Sequence, residues 1–312
     1  MESPLQATLA GIRDRFGSGP RLTLSDDERL DGQQVLITGG NRGLGFGIAT
    51  RLTQRGATVW LACRSSGDAA VTALRQNAPS SPVEALDLDL AQPASIQALV
   101  GELQARGVRL DRVVLNAAVV PLGSRQTASG LDVMFHVNFL ANVDLFDRLR
   151  DGCVLAEQDA RLIVVSSEAH RSGNPTLADF GIPGEYGTSG VMPHYGQSKL
   201  FLTTWAMHLA RTTPPAELGV FVVGPGAVAS DIAREAPAWM RVWLTPTMKL
   251  LFQSPYTAAA PVEWTACTTA LAGQTGLYHH MHRRKDPHPF ALNPQAGADL
   301  YAHATTLLEQ LR

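Results

Sequence analysis

Cysteine is scarce: Cys63, Cys153 and Cys267 are far apart in 312 residues, odd in number and without CxxC spacing. That excludes a disulfide framework or a thiolate metal centre as the organising principle and points to reduced thiols. Charge is sparse and balanced, at 17% charged residues and a formal net charge of -2. No block of like charge is present, so neither a tail nor an electrostatic footprint for nucleic acid is expected. No apolar run approaches the roughly 20 residues that span a bilayer. The opening stretch carries Glu2 and lacks the apolar run of a secretory signal. These absences leave a soluble protein with no membrane span, expected in the cytoplasm.

What is present is a repeated alternation. Short Val-, Ile- and Leu-rich runs occur at 34–38, 58–62, 83–89, 112–117, 161–167 and 219–226. Most are apolar without a period of two, as parallel strands covered on both faces require. Between them lie helix-period apolar positions, such as Ile48 and Leu52, or Ile96, Leu99, Val100 and Leu103 after Pro93. Strand and helix in turn predict an α/β fold, a single doubly wound parallel sheet of Rossmann type over residues 32–312. Residues 1–31 read as an N-terminal extension. Its "SPLQ" capping box and the stripe Leu5, Leu9, Ile12 and Phe16 predict a short amphipathic helix that docks on the body.

The first strand runs into "TGGNRGLGFG", Thr38 to Gly47, followed by a helical pattern. Glycines at 39, 43 and 45 permit a tight turn and a close backbone approach to a pyrophosphate at a helix N-terminus. An NAD-binding chain would carry an acid about 20 residues further on, at the end of the second strand. Here that strand ends "LACRSS", with Arg64 placed 19 residues after Gly45 and no acid beside it. A guanidinium clamps a 2′-phosphate that a carboxylate would repel, and Arg42 adds a second cation. The expected cofactor is NADP(H).

"HYGQSKL" places Tyr195 and Lys199 four apart on a helix, hence on one face. A neighbouring ammonium favours the phenolate, which predicts a tyrosine acidified enough to exchange a proton with a carbonyl or alcohol oxygen. Ser166 and Ser167 end a parallel strand, where open α/β sheets bind ligands, and Asn138 lies in a predicted helix before that strand.

Taken together, TGxxxGxG at 38–45, Asn138, the strand-ending serine, Tyr195-x-x-x-Lys199 and "GPG" at 224–226 resemble the short-chain dehydrogenase/reductase family over about residues 32–280. The resemblance implies Tyr195 as general acid/base and Lys199 as the group that lowers its pKa and holds the nicotinamide ribose. It implies Ser167 as the ligand of the substrate oxygen and Asn138 as part of a proton relay. The nucleotide would be held by Thr38, Gly39, Asn41, Arg42, Gly43, Leu44 and Gly45, then by Arg64. Asp89 (with Asp87 the alternate register) and Leu90 would face adenine, and Asn116 with Ala117 the adenosine side. Tyr195, Lys199, Pro225, Gly226 and Val228 would complete the cofactor site. "LACRS", "SSEAH" and the 28 residues from Ser167 to Tyr195 are similar to the retinol-dehydrogenase-like group of the standard branch. That group acts on bulky apolar alcohols and carbonyls, and its membrane anchor finds no counterpart here.

Two positions depart from the pattern. The family's Asn-Asn-Ala-Gly reads Leu115-Asn116-Ala117-Ala118, and Gly224 stands where the related group often has histidine. After "PGAVAS", a Trp- and Met-rich segment at about 231–255, including Trp239, Met240, Trp243 and Phe252, is expected to cover a large apolar substrate. The glycine- and proline-containing stretch 168–194 would form the other wall, with His194 in it. "HHMH" at 279–282 lacks further ligands at convincing spacing, so no metal is expected. The activity read from these residues is NADP(H)-dependent interconversion of a carbonyl and an alcohol. Reduction of a conjugated C=C bond and an idle NADP(H)-binding regulator are the alternatives, and pairing into a homo-oligomer stays open.

Overall fold

A computed structural model describes residues 21–65, 67–177, 180–182, 184–228 and 253–311. The expected N-terminal helix and most of the substrate-covering segment lie outside the described residues. The strands are β1 (Gln34–Thr38), β2 (Thr58–Cys63), β3 (Val83–Asp87), β4 (Arg112–Leu115), β5 (Ala160–Val165), β6 (Leu218–Gly224), β7 (Leu277–His280) and β8 (Arg283–Lys285). They form one sheet in the order β3-β2-β1-β4-β5-β6-β7-β8, parallel except for β8. The sheet order reverses between β1 and β4, which opens a crevice at their carboxyl ends.

Helices α1 (Gly43–Gln54), α2 (Gly67–Asn77) and α3 (Pro93–Ala105) form the first crossovers. The turn Val133–Phe135 (α4), a π-helical turn His136–Leu140 and α5 (Ala141–Asp151) make one continuous run. It is followed by α6 (Val191–Thr212), the short α7 (Pro255–Ala258) and α8 (Ala260–Cys267), then α9 (Pro289–Leu292) and α10 (Pro294–Leu311). The strands alternate their faces between two cores. Leu36, Val113, Leu162 and Val220 pack with Leu99, Phe146 and Trp205 on one side. Val35, Ile37, Val59 and Leu61 meet Ile48, Leu52, Leu74 and Val262 on the other. Every one of these side chains is buried, which is why the strand sequences show apolar runs and no alternation.

The expected strands appear, the last four of the six shortened at their carboxyl ends. Asp89, Asn116, Ser166, Ser167, Pro225 and Gly226 all leave the sheet and form the loops above it. The β7–β8 hairpin and α10 are additions to the six expected strands and their helices. Helix α10 buries Leu300, Ala304 and Leu308 against the body, and the Tyr301 hydroxyl donates to Asp147 Oδ2 at 3.0 Å. Residues 21–31 are not a free linker: Leu30 is buried, and Glu28 Oε1 accepts from the Thr269 amide at 2.9 Å.

At the amino ends of the strands, buried charge is saturated. Arg112 donates to the carbonyls of Ala266, Asp111 and Asp159 at 2.9–3.0 Å, and Arg161 to Thr265 O at 2.8 Å. Both guanidiniums therefore cap the carboxyl end of α8, where the helix dipole favours a cation. Glu263 of α8 receives Arg51 at 2.6 Å and Arg55 at 2.8 Å. Among the described residues no helix is long and apolar enough to cross a membrane.

Candidate active site

The glycine turn between β1 and α1 is held by side chains, not by its own flexibility. Thr38 is fully buried; its Oγ1 accepts from the amides of Asn116 and Ala117, both at 3.0 Å. Asn116 Nδ2 donates to Thr38 O at 2.9 Å, which locks the carboxyl ends of β1 and β4 together. Asn41 Nδ2 reaches Ser65 O at 2.6 Å and ties the turn to the end of β2. Gly39 and Gly43 have φ of 67° and 52°, the left-handed region that favours glycine. A Cβ on Gly45 would stand 2.2 Å from Gly39 O, so no other residue closes this turn. Thr38 and Asn116 thus act on the shape of the turn, while Arg42 and Arg64 lie exposed at its rim.

The neighbourhood of Arg64 differs from the expectation that no acid is near. Asp87 pairs with Cys63 across β3 and β2. With Asp68, Glu102 and Ser65 it borders a groove of about 330 Å³. The adjacent strand supplies what the local sequence does not. Asp89 has its carboxylate held by the Ala91 amide at 3.0 Å and by Gln92 Nε2 at 3.1 Å, and the Leu90 side chain is buried in the core. Beyond β6, Pro225 is buried, Gly226 has φ 82°, and Val228 bridges to Gln253.

Above the sheet, Ser167 and Tyr195 come together. Ser166 faces inward, its hydroxyl 2.7 Å from that of Thr203, which leaves Ser167 as the serine turned to the crevice. Ser167 Oγ accepts the Ala169 amide at 3.2 Å and lies near enough to the Tyr195 phenol to favour its ionised form. Lys199 is buried and donates from Nζ to Val165 O at 2.9 Å, with Nζ 5.9 Å from the centre of the Tyr195 ring. Asn138 sits in the π-helical turn, a local widening that recurs at functional sites. Its Oδ1 accepts the Val119 amide at 2.8 Å, and its Nδ2 donates to Val119 O at 3.0 Å and to Ser198 Oγ at 3.2 Å. Asn138 thus pins the β4 loop to the helix that carries Tyr195.

The electrostatics differ from the expected acidified phenol. Burial pushes Tyr195 up to about 12, only partly countered by the Ser167 hydroxyl. Burial pushes Lys199 down to about 8. The ammonium points at a backbone carbonyl and not at the phenolic oxygen, so desolvation of the charged form outweighs its attraction. At neutral pH this leaves a protonated phenol beside a lysine that is still a cation.

Within the 168–194 stretch, two aromatic rings pack on each other. Tyr186 donates to Asp132 Oδ2 at 2.9 Å and stacks on His194 with ring centres 3.8 Å apart. Sequence reasoning missed Glu168, His170 and Tyr278, a buried group directly behind Ser167. "SSEAH" carried the first two in plain sight, but Tyr278 and His280 were hidden in a segment read only for its imidazoles. The Gly224 departure has a cause here: a Cβ at 224 would stand 2.7 Å from the Tyr278 hydroxyl and 3.2 Å from His280 Nδ1.

Comparison with known proteins agrees with this architecture. The family model described as short chain dehydrogenase matches residues 33–181. The WW domain-containing oxidoreductase of Drosophila melanogaster is 31% identical over 290 residues, covering 89% of this chain and 69% of the relative. Retinol dehydrogenase 13 of Mus musculus is 30% identical over 286 residues, covering 89% of this chain and 84% of the relative. A short chain dehydrogenase from Burkholderia cenocepacia J2315, solved in complex with NADP, superposes with a TM-score of 0.61 at 26% identity, over 81% of this chain and 97% of that one. With the crevice, the glycine turn and the Ser167–Tyr195–Lys199 cluster in one fold, the chain belongs to the short-chain dehydrogenase family of oxidoreductases.

Proposed function

We propose that the protein is an NADP(H)-dependent oxidoreductase that interconverts a carbonyl and an alcohol on an apolar substrate, with Tyr195 as general acid/base. The observation that carries this reading is the Tyr195 ring 5.9 Å from Nζ of the buried Lys199, with Ser167 beside the phenol. The nucleotide fits the residues present. The turn at Gly39, Gly43 and Gly45 has no room for a Cβ at its tightest point, and its amides open the N-terminus of α1. Exposed Arg42 and Arg64 offer guanidiniums for a 2′-phosphate, balanced against Asp68 and Asp87 nearby. The NADP named with the Burkholderia structure supports the same choice.

When bound, the nicotinamide nucleotide supplies or accepts the hydride. The chain's own residues manage the proton and the oxygen. Tyr195, protonated at neutral pH, donates to a carbonyl oxygen, which suits the reducing direction. Ser167 orients that oxygen from the other side. Lys199 supplies positive charge that stabilises the phenolate left after transfer. Asn138 fixes the spacing between the β4 loop and α6. The stacked Tyr186 and His194, which we assign to the substrate side, suit a bulky apolar partner, as the name of the mouse relative also suggests.

The test is Tyr195→Phe, assayed by NADPH oxidation against apolar aldehydes and ketones beginning with all-trans-retinal. Turnover should fall by about 10³-fold while the Kd for NADPH stays within about twofold, because the phenyl ring keeps its packing. Undiminished turnover in this variant rejects the mechanism.

A further inference from the structure

Ser167 is gripped by the side chain that follows it at 170. Its own conformation is extended, and it opens the short helical turn Glu168–Ser172. Its carbonyl accepts two hydrogen bonds from one residue, the His170 amide at 3.0 Å and His170 Nδ1 at 2.6 Å. The other ring nitrogen, Nε2, accepts the His288 amide at 3.1 Å. A carbonyl on one side and an amide on the other define one neutral tautomer, with the proton on Nδ1. The ring is completely buried and packs edge-on against Tyr278, 5.2 Å between centres.

Glu168, next to Ser167 in the chain, is itself held by the β7–β8 hairpin. Its carboxylate accepts the Tyr278 hydroxyl and Arg171 Nε, the latter at 3.1 Å. His280 Nδ1 and Lys285 Nζ each stand 3.7 Å away. Arg171 Nη2 in turn donates to Asp286 O at 2.6 Å. The β7–β8 hairpin and the segment after it therefore hold the residues flanking Ser167. Filling this space does not require a polar ring, since an apolar side chain would avoid the desolvation cost of a buried imidazole. What the imidazole adds is a directed donor to Ser167 O and a directed acceptor for His288.

We infer that His170 is a positioning residue for Ser167: braced on His288 and Tyr278, its neutral ring fixes the Ser167 backbone so that the hydroxyl faces Tyr195. The inference rests on the reading of Ser167 as the ligand of the substrate oxygen. Its test has a readout that does not need turnover. The Ala169 amide donates to Ser167 Oγ, so its hydrogen exchange reports where that hydroxyl is held.

The variants are His170→Ala, His170→Asn and His170→Gln. An asparagine amide nitrogen reaches the place of Nδ1, whereas a glutamine amide reaches that of Nε2. In His170→Ala, exchange at Ala169 should rise about tenfold relative to Val164 in β5, the size of one lost hydrogen bond. With all-trans-retinal and NADPH, kcat should fall by a similar factor and the NADPH Kd should hold within about twofold. His170→Asn should restore both, and His170→Gln neither. Unchanged Ala169 exchange in His170→Ala, or rescue by glutamine as good as by asparagine, overturns the inference. If the alanine variant does not fold, the asparagine and glutamine pair decides alone. A wild-type protein that reduces no carbonyl would sink the catalytic reading, while Ala169 exchange would still decide the role of His170.

Discussion

The two ends of the sheet bury charge in opposite ways. At the amino ends, Arg112, Arg161 and Glu263 are saturated by carbonyls or by paired guanidiniums. Burial brings Arg112 down only to about 10, so it stays a cation at any physiological pH. At the carboxyl ends, Lys199 is held by one directed hydrogen bond, and desolvation moves its pKa toward neutrality and that of Tyr195 away from it. Saturated charge builds a scaffold, whereas under-solvated charge remains able to exchange a proton. Stability and activity should therefore respond separately to changes at the two ends.

The sharpest contrast is expected from Lys199→Met. Turnover should drop about 10²-fold or more, yet the urea midpoint should not fall, because a desolvated ammonium is removed and a similar volume kept. A joint fall of both would break the contrast. Next comes acid. His170 is held down to about 4 by burial, beside Glu168, Arg171, Tyr278 and His288, whereas its unfolded value is 6.5. The unfolded chain takes up that proton first, so stability is lost as pH falls from 6.5 to 4, by on the order of 3 kcal/mol. Glu168 is strongly desolvated, yet His280, Tyr278, Arg171 and Lys285 together hold it at about 2, below 4.5. Its contribution, complete above 4.5, is lost as pH falls toward 2. Urea unfolding across this range, repeated on His170→Asn, should show the first step flattened in the variant.

At the opposite end, Glu263→Gln leaves Arg51 and Arg55 short of their anion and should cost about 2 kcal/mol. Urea titration should register that loss while kcat stays within about twofold. The smallest effect is assigned to Arg64→Ala, which should shrink the ratio of NADPH to NADH affinity by about tenfold. An unchanged ratio would transfer the preference to Arg42, against Asp68 and Asp87.

The sheet was legible because fully covered parallel strands write themselves as unbroken Val, Ile and Leu. The cluster of Ser167, Tyr195 and Lys199 was legible because helix period and strand ends fix where such residues point. The β7–β8 hairpin was not, since its Tyr278, His279 and His280 carry no apolar run, and their burial depends on Glu168, 110 residues from Tyr278 in sequence. Nor was the π-helical turn, whose one extra residue per turn leaves the apolar spacing from Val133 to Asp151 looking like ordinary helix. The phenol's high pKa escaped for a different reason. Spacing places a lysine on the right face but does not say which oxygen its ammonium will choose.

The crowding at Gly224 constrains how this sequence can drift. A Cβ there would stand 2.7 Å from the Tyr278 hydroxyl, so a histidine at 224 requires the tyrosine at 278 to shift or be replaced. A lineage moving between the two solutions by the less crowded route crosses an intermediate that has neither. Substitutions at these two positions should therefore be tolerated only in one order, with the tyrosine surrendered first.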